Sequence, residues 1–171
     1  KLVAKKNVKF VKADLTEKKS FGQFKKFDLV FHLAAINGTK NFYSKPEEVI
    51  RVNTMSTLNL LDWAAKNKPK KIVFASSSEA YAGLEVISKL KIPTPEDVPL
   101  IVADEFNPRW SYGASKIIGE VAFINYAKKF GFDYSIVRYH NVFGPRMGFD
   151  HVIPELIMRI KKKESPFRLF G

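Results

Sequence analysis

The stretch that decides the fold is Phe27-Asp28-Leu29-Val30-Phe31-His32-Leu33-Ala34-Ala35, a nearly continuous apolar run. A run of this kind is typical of a strand that is buried on both faces of a parallel sheet. Two further short β-rich runs follow it, Lys71-Ile72-Val73-Phe74-Ala75 and Tyr134-Ser135-Ile136-Val137-Arg138. We therefore predict strands in these three stretches.

Helical segments separate the predicted strands. Pro46 and the two acids after it begin one helix, since proline and carboxylates favour the first turn, and Pro69 ends it. A second helix runs from about Trp110 to Phe130, and Gly131 follows as its C-cap. Weaker signals predict a strand at 8–11, a short helix capped by Asp14 or Thr16, a loop at 37–44, a Pro-rich loop at 84–108, a helix at 151–163 and a strand that begins at 167–170. This alternation predicts an α/β fold with a doubly wound parallel sheet.

Length and composition favour one globular domain. The 171 residues are 46% hydrophobic, which is enough for a sizeable core. No apolar run approaches the ~20 residues of a membrane span, and no signal peptide is visible, so we expect no membrane partner. The absence of cysteine excludes disulfides and thiolate metal sites. We expect a cytoplasmic protein without a metal site.

The chain is basic, with 29 Lys and Arg against 17 Asp and Glu and a formal charge of +12. Such a charge fits nucleic-acid binding, a site for phosphorylated ligands, or a solvated Lys-rich surface. The basic residues are scattered and mostly lie at the ends of apolar segments, where lysine normally solvates helix termini. Because no basic stripe is interleaved with aromatic residues, the solvated surface is favoured and no nucleic-acid partner is expected.

Polar clusters follow the predicted strands, at 34–38, 76–79 and 139–141. In doubly wound sheets, ligands bind beyond the carboxyl ends of the strands, so these clusters are expected to share one cleft. Tyr112 and Lys116 lie one helical turn apart near the same rim. A neighbouring ammonium favours the phenolate, which makes this tyrosine a candidate general base. The spacing alone also arises by chance in a Lys-rich chain, so its weight depends on its surroundings.

Six motifs occur in order along the chain: Ala13-Asp14-Leu15, His32-Leu33-Ala34-Ala35, Val52-Asn53 with Asn59-Leu60-Leu61, Ser76-Ser77-Ser78-Glu79-Ala80-Tyr81, Tyr112 to Lys116, and Arg138 to Arg146. With these motifs the chain resembles the extended short-chain dehydrogenase/reductase family, the NAD-dependent nucleotide-sugar epimerases, dehydratases and decarboxylases. The resemblance implies a single Rossmann-like domain over residues 1–171, with NAD as cofactor. It implies a nucleotide sugar, foremost a UDP-sugar, as substrate.

The resemblance also implies a role for each matching residue. Tyr112 would exchange a proton with a sugar hydroxyl, Lys116 would lower its pKa and bind the nicotinamide ribose, and Ser77 would hydrogen-bond the same sugar oxygen. The expected product of this step is a transient keto-sugar. The implied cofactor-binding residues are Asp14, Leu15, Leu33, Ala34, Ala35, Asn53, Ala75, Tyr112, Lys116 and Tyr139. The implied substrate-binding residues are Ser78, Asn141, Arg146 and Val152.

The residue Glu79 bears on the type of reaction. The pair Ser78-Glu79 after Ser77 looks more like the uronic-acid decarboxylase branch than like simple epimerases or 4,6-dehydratases, as does Pro108-Arg109-Trp110-Ser111. A carboxylate at Glu79 could accept or relay a proton beside the oxidised sugar, or it could be a solvated loop carboxylate. Epimerisation and decarboxylation both remain open, with dehydration third.

Each assignment has a structural alternative. Asp14 could cap a helix, Ser77 could satisfy loop backbone, Asn53 could be a surface amide, Arg146 could be a solvated cation, and His32 and His140 could be packed histidines. The protein as a whole could be a non-catalytic Rossmann-like binding module or an inactive part of an enzyme, or a basic nucleic-acid-binding domain.

The chain departs from the family at both ends. No G-x-x-G-x-x-G turn occurs, and the chain stops after Phe170-Gly171, where the family continues into a substrate-binding region. We expect a sheet that is incomplete at both ends and a chain that, alone, does not turn over and binds NAD poorly, because backbone donors at a helix N-terminus normally hold the pyrophosphate. An open sheet edge with uncovered apolar surface is expected to favour a homodimer or larger species.

Overall fold

The computed structural model describes residues 5–145, 147–149 and 151–167. The chain divides into two compact units, residues 1–139 and 140–171. In the first unit the strands are β1 (Leu29–His32), β2 (Lys71–Ser77) and β3 (Asp133–Tyr139), and the helices are α1 (Thr39–Ser44), α2 (Pro46–Asn67), α3 (Gly83–Val86) and α4 (Trp110–Phe130). Turns of 3-10 helix lie at Lys18–Gln23 and Ser78–Ala80. The second unit contains α5 (Val152–Lys161).

The three strands form one parallel sheet in the order β1-β2-β3. The register pairs Phe31 with Val73, and it pairs Ser77 with Tyr139. Strands β2 and β3 therefore end side by side, and their carboxyl ends lie at one edge of the sheet. This arrangement confirms the α/β fold with a parallel sheet that the alternating pattern predicts.

One face of the sheet carries the main core. Ile72 and Phe74 of β2 are fully buried against apolar side chains of α2 and α4. Phe74 stacks on Phe123 of α4, with ring centroids 4.7 Å apart. Each such aromatic or aliphatic side chain contributes about 1.5–3 kcal/mol when it is fully buried. This core fixes α4, and hence its first turn, against the end of β2.

The helix termini follow the local chemistry of the sequence. Pro46 is the first residue of α2, two acids lie in its first turn, and Lys68 ends it in the left-handed region with φ 47°. Helix α4 ends at Gly131, where φ is 73° and the amide donates to the Ala127 carbonyl at 2.9 Å. Glycine adopts this backbone conformation without the steric cost that a Cβ adds, so the predicted C-cap is confirmed.

The expectation that the strand in 27–35 is buried on both faces is wrong for this structure. Only residues 29–32 form β1, and Leu29 and Phe31 are 51% and 59% exposed. In the described part of the chain β1 pairs with β2 alone, so it is an edge strand whose second face is uncovered. Phe10 and Leu33, which line one cavity together with Val30 and Phe31 of β1, are also largely exposed, which agrees with the expected uncovered apolar surface.

Several shorter predictions need correction. Residues 8–11 form no strand, because the described chain offers this segment no ladder partner. The predicted loop at 37–44 contains α1, which begins after Gly38 at φ 100°. Asp14 does not cap the helical turn at 18–23; its Oδ1 atom accepts hydrogen bonds from the amide and the hydroxyl of Thr16. The strand predicted from 167 lies almost wholly outside the described residues.

Candidate active site

Tyr112 lies in the first turn of α4 and is buried. Its ring stacks on Phe42 of α1, with centroids 4.8 Å apart and planes inclined by 19°. Val49 is buried in the same cluster, and Ala35 and Ile36 pack against it. The loop after β1 and the helices α1 and α2 therefore surround the phenol, and these elements set its position.

The surroundings of Tyr112 determine the direction of its pKa shift. Burial raises the pKa of the phenol above 10, a hydrogen bond with Ser77 lowers it, and the charge of Glu79 raises it. The net result is a raised pKa. Desolvation of the phenolate outweighs the favourable interactions here, and the expectation that Lys116 lowers the pKa of Tyr112 stays a prediction.

Lys116 follows one turn later on α4 and is only 4% exposed. Its Nζ atom donates to the carbonyl oxygen of Ala75 at 2.7 Å and lies 5.4 Å from the ring centroid of Tyr112. Burial lowers the pKa of the ammonium from 10.5 to about 8. A buried ammonium is costly unless it is paired, and no carboxylate forms an ion pair with it among the described residues. Its remaining donors are thus available for a ligand.

Ser77 is the last residue of β2 and caps the following turn, because its hydroxyl accepts a hydrogen bond from the Glu79 amide at 3.2 Å. The Glu79 carboxylate lies 3.6 Å from the Arg109 guanidinium. The first turn of α4 packs closely against this turn, since a Cβ added at Gly113 would lie 2.9 Å from the Glu79 carbonyl oxygen. The fold therefore brings Tyr112 next to Ser77 and Glu79, which lie more than thirty residues earlier in the chain.

A cavity of about 720 Å³ lies between the loop after β1, the segment around Asp14 and α2, and its lining includes Ala35 and Ile36, which pack against the Tyr112 cluster. Its lining contains the predicted cofactor-binding residues Asp14, Leu15, Ala34 and Ala35. A second, mostly apolar cavity of about 640 Å³ is lined by Leu15, Leu33 and Ala34 among others. Five of the predicted cofactor-binding residues thus line cavities at the carboxyl end of β1.

Asn53 is buried, so it is not the surface amide that was one of the alternatives. Its Oδ1 atom accepts a hydrogen bond from the Ile36 amide at 2.7 Å, and its Nδ2 atom donates to the Ile36 carbonyl and to Ser115, each at 3.2 Å. The side chain therefore joins the loop after β1 to α4. These contacts engage its donors and acceptor with the protein itself, so Asn53 supports the cofactor-side loop from behind.

The other predicted residues are placed as follows. Ala75 contributes the carbonyl that holds Lys116, Ser78 begins the turn after β2, and Tyr139 ends β3 with its side chain about half exposed. Asn141 and Val152 belong to the second unit, where both are exposed. Arg146 lies outside the described residues. His32 is buried and hydrogen-bonded to Thr57 at 3.0 Å, as a packed histidine would be.

Sequence reasoning missed two features near the site. Phe42, which stacks on Tyr112, was assigned to a loop, and nothing in its local pattern signals the contact. Arg138 was noted only as part of a motif, yet it forms a partly buried ion pair with the buried Glu120. The spacing Tyr112, Lys116, Glu120, which places all three on one helical face, was the available signal.

The described residues contain no group of three or more His, Cys, Asp or Glu side chains that could hold a metal ion. In the same part of the chain no helix combines the length and the apolar character that crossing a membrane requires.

Comparison with known proteins identifies the family. The model of the NAD dependent epimerase/dehydratase family matches residues 1–171. The chain belongs to this family. Its members are NAD-dependent, and their substrates include the nucleotide sugars named in the relatives below.

Three similar proteins illustrate the relationship. The chain is 36% identical over 155 residues to UDP-N-acetyl-alpha-D-glucosaminuronate decarboxylase of Bacillus cytotoxicus, a match that covers 88% of the chain and 46% of that protein. It is 32% identical over 170 residues to UDP-glucuronate 4-epimerase of Thermodesulfobacterium geofontis, covering 96% and 48%. The crystal structure of UDP-glucuronic acid 4-epimerase from Bacillus cereus, in complex with UDP-glucuronic acid and NAD, superposes with a TM-score of 0.77 at 28% identity and covers 99% of the chain and 50% of that protein. The chain spans about half the length of these relatives.

Proposed function

We propose that the protein containing this chain is an NAD-dependent enzyme that epimerises or decarboxylates a UDP-sugar through a transient keto-sugar. The observation that supports this proposal most strongly is the meeting of Tyr112, Ser77, Glu79 and Lys116 where α4 begins and β2 ends. A binding module has no need of a buried phenol that lies near a serine hydroxyl and a buried ammonium without an ion pair among the described residues. Family membership independently favours nucleotide-sugar chemistry.

The residues of the chain fit the adenosine and ribose parts of NAD. The cavity beside Asp14 and Ala34 combines apolar walls with a carboxylate, as a site for a purine and its sugar requires. The buried ammonium of Lys116 has donors to spare for ribose hydroxyls, which would compensate for its desolvation. When bound, NAD supplies the hydride acceptor and, on its oxidised ring, a positive charge that would favour the phenolate of Tyr112.

In this proposal Tyr112 removes the proton from a sugar hydroxyl and later returns one. The Ser77 hydroxyl, which is close enough to the phenol to lower its pKa, would hold the same sugar oxygen and keep the proton path short. Burial excludes water from the phenol, so proton exchange is restricted to groups that the protein places there. Lys116 holds the cofactor ribose from the same helical face, one turn away.

Glu79 distinguishes the two candidate reactions. Its carboxylate is close enough to raise the pKa of Tyr112 and is held by Arg109 at 3.6 Å. In a decarboxylase, the carbon that loses carbon dioxide must be reprotonated, and Glu79 would hold that proton. In an epimerase, the keto-sugar would rotate within the site and be reduced on its opposite face. Glu79 would then only orient Arg109.

The full-length protein, supplied with NAD and UDP-glucuronate, tests the proposal. Release of carbon dioxide supports decarboxylation, and a retained carboxylate with inverted configuration at C4 supports epimerisation. A protein that leaves UDP-glucuronate and neutral UDP-hexoses unchanged, although it is folded and holds NAD, would support the non-catalytic alternative. The single-domain organisation, the homodimer and the cytoplasmic location stay predictions.

A further inference from the structure

The segment at residues 84–108 connects the two halves of the candidate site. The segment begins shortly after Glu79 and ends shortly before Tyr112. Apart from the short helix α3 at its start, it has no regular structure, and Ile92 and Phe106 are almost fully exposed. Loops of this length within a compact domain are usually functional or mobile, so what holds this segment in place matters for the site.

Arg138 of β3 forms a hydrogen bond to the middle of this segment. Its Nη1 atom donates to the main-chain carbonyl oxygen of Glu96 at 2.9 Å. Its Nη2 and Nε atoms donate to the two carboxylate oxygens of Glu120 at 2.8 and 3.0 Å. A guanidinium offers donors in a fixed planar fork, so one side chain makes both contacts without rearrangement.

Glu120 ties this arginine to the catalytic elements. It lies on α4 one turn after Lys116 and is 2% exposed. Its Oε1 atom accepts a hydrogen bond of 2.5 Å from the hydroxyl of Ser76, the residue before Ser77. Strands β2 and β3 pair at this point, with Ser76 opposite Arg138 in the ladder. The chain Ser76, Glu120, Arg138, Glu96 therefore links the end of β2, helix α4 and the connecting segment.

We propose that Arg138 is a positioning residue that latches segment 84–108, through the carbonyl of Glu96, to α4 and the end of β2, the elements that carry Tyr112 and Ser77. The guanidinium holds the midpoint of the segment to the same carboxylate that aligns α4 with β2. Release of the latch would leave the segment free to sample open positions, and only the latched fraction would bind the nucleotide sugar well. The kinetic part of this inference rests on the proposed function.

The variant Arg138→Lys separates the two contacts. Lysine keeps the charge that faces Glu120, but its single ammonium cannot also reach the Glu96 carbonyl in the same plane. The matched control is Asp97→Ala, because that change removes the exposed carboxylate of the next residue and leaves both the carbonyl of Glu96 and its charge, which acts on Arg138, in place. The latch therefore predicts a large effect of the first variant and almost none of the second.

Hydrogen exchange and steady-state kinetics of the full-length protein measure these effects. For Arg138→Lys we expect the rate of amide hydrogen exchange in residues 87–107 to rise about tenfold, because the variant loses one charge-assisted hydrogen bond to this segment. The KM for the nucleotide sugar should rise about tenfold, whereas kcat and the affinity for NAD should change less than threefold. Asp97→Ala should match the parent protein in every readout.

Unchanged exchange in residues 87–107 of Arg138→Lys would overturn the proposal, as would a rise spread evenly over the whole chain. If Arg138→Lys does not fold, Glu120→Gln weakens the hold on the guanidinium and should raise exchange in the same residues severalfold; no rise there would equally overturn it. Hydrogen exchange is measured without substrate, so it tests the latch even if the protein turns over no nucleotide sugar. Absence of turnover would count against the proposed function alone.

Discussion

Lys116 donates a hydrogen bond from its buried ammonium to the main-chain oxygen of Ala75, 2.7 Å away. The contact joins helix α4 to strand β2 two residues before Ser77. Burial lowers the pKa of Lys116 to about 8, and no ion pair with this side chain occurs within the described ranges. The ammonium is therefore held at a cost to stability, as expected for a group whose donors serve a ligand.

This cost predicts a pH dependence of stability. Between pH 8 and 10.5 the unfolded chain binds the lysine proton more strongly than the folded chain does, so the free energy of unfolding should rise with pH. This gain in the free energy of unfolding is absent below about pH 8 and reaches roughly 3 kcal/mol above pH 10.5, because each unit of pKa difference corresponds to about 1.36 kcal/mol. Urea unfolding at several pH values should show that Lys116→Met lacks this rise. A Lys128→Met control at the exposed end of α4 should keep it, and parallel pH profiles for both variants would refute the assignment.

His32 predicts a second pH dependence, at acid pH. Burial, and secondarily the charge of Lys116, lowers the pKa of its imidazole from 6.5 to about 4. Its stabilising contribution is fully present above pH 6.5 and is lost as the pH falls through 4, because the unfolded chain takes up the proton first. The loss should be roughly 3 kcal/mol and should be smaller in His32→Gln, which keeps a hydrogen-bonding group for Thr57.

The control for His32 is the exposed His151. His151→Gln should leave the acid limb of the urea-unfolding profile unchanged. If His32→Gln and the parent protein lose stability equally between pH 6.5 and 4, the buried imidazole is not the source of the acid sensitivity.

Gly119 predicts a packing effect in the core. A Cβ at this position would lie 2.5 Å from Cζ of Phe74, whose ring is held between Phe123 and His32. Gly119→Ala should therefore lower the free energy of unfolding by about 1–3 kcal/mol, even though alanine favours the helix by up to about 1 kcal/mol. Gly22→Ala has no atom within 4 Å of the added carbon and should change stability by less than about 0.5 kcal/mol. Equal stability of the two variants would contradict the described packing.

The main elements of the fold were predictable because their signals are local. Proline and acids at the start of α2 and glycine after α4 mark helix ends, and the β-branched runs mark β2 and β3. The burial of β1 was not predictable, because it depends on which strands and helices lie beside it. The strand expected at 8–11 failed for the same reason, since an apolar run forms a strand only where a partner offers a ladder.

The candidate site likewise contains features that the sequence predicts and features that depend on the surrounding fold. The motifs around Ser77, Tyr112 and Lys116 predicted which side chains meet, and the structure brings these three together. The direction of the pKa shift of Tyr112 was not predictable, because it depends on how deeply Phe42 and its neighbours bury the phenol. The link from Arg138 to Glu96 was also hidden, because a main-chain carbonyl carries no sequence signature.

The central claim is that Tyr112 is the acid and base of a nucleotide-sugar enzyme, and the variant Tyr112→Phe tests it most directly. The change removes only the hydroxyl and keeps the stacking on Phe42. The matched control is Tyr126→Phe on the same helix, which loses a hydrogen bond to Asp62 of 3.0 Å far from the site. Turnover of UDP-glucuronate or another UDP-sugar by the full-length protein should fall by roughly 10²–10⁴ in Tyr112→Phe and stay within twofold in the control. Near-normal turnover in Tyr112→Phe would contradict the account.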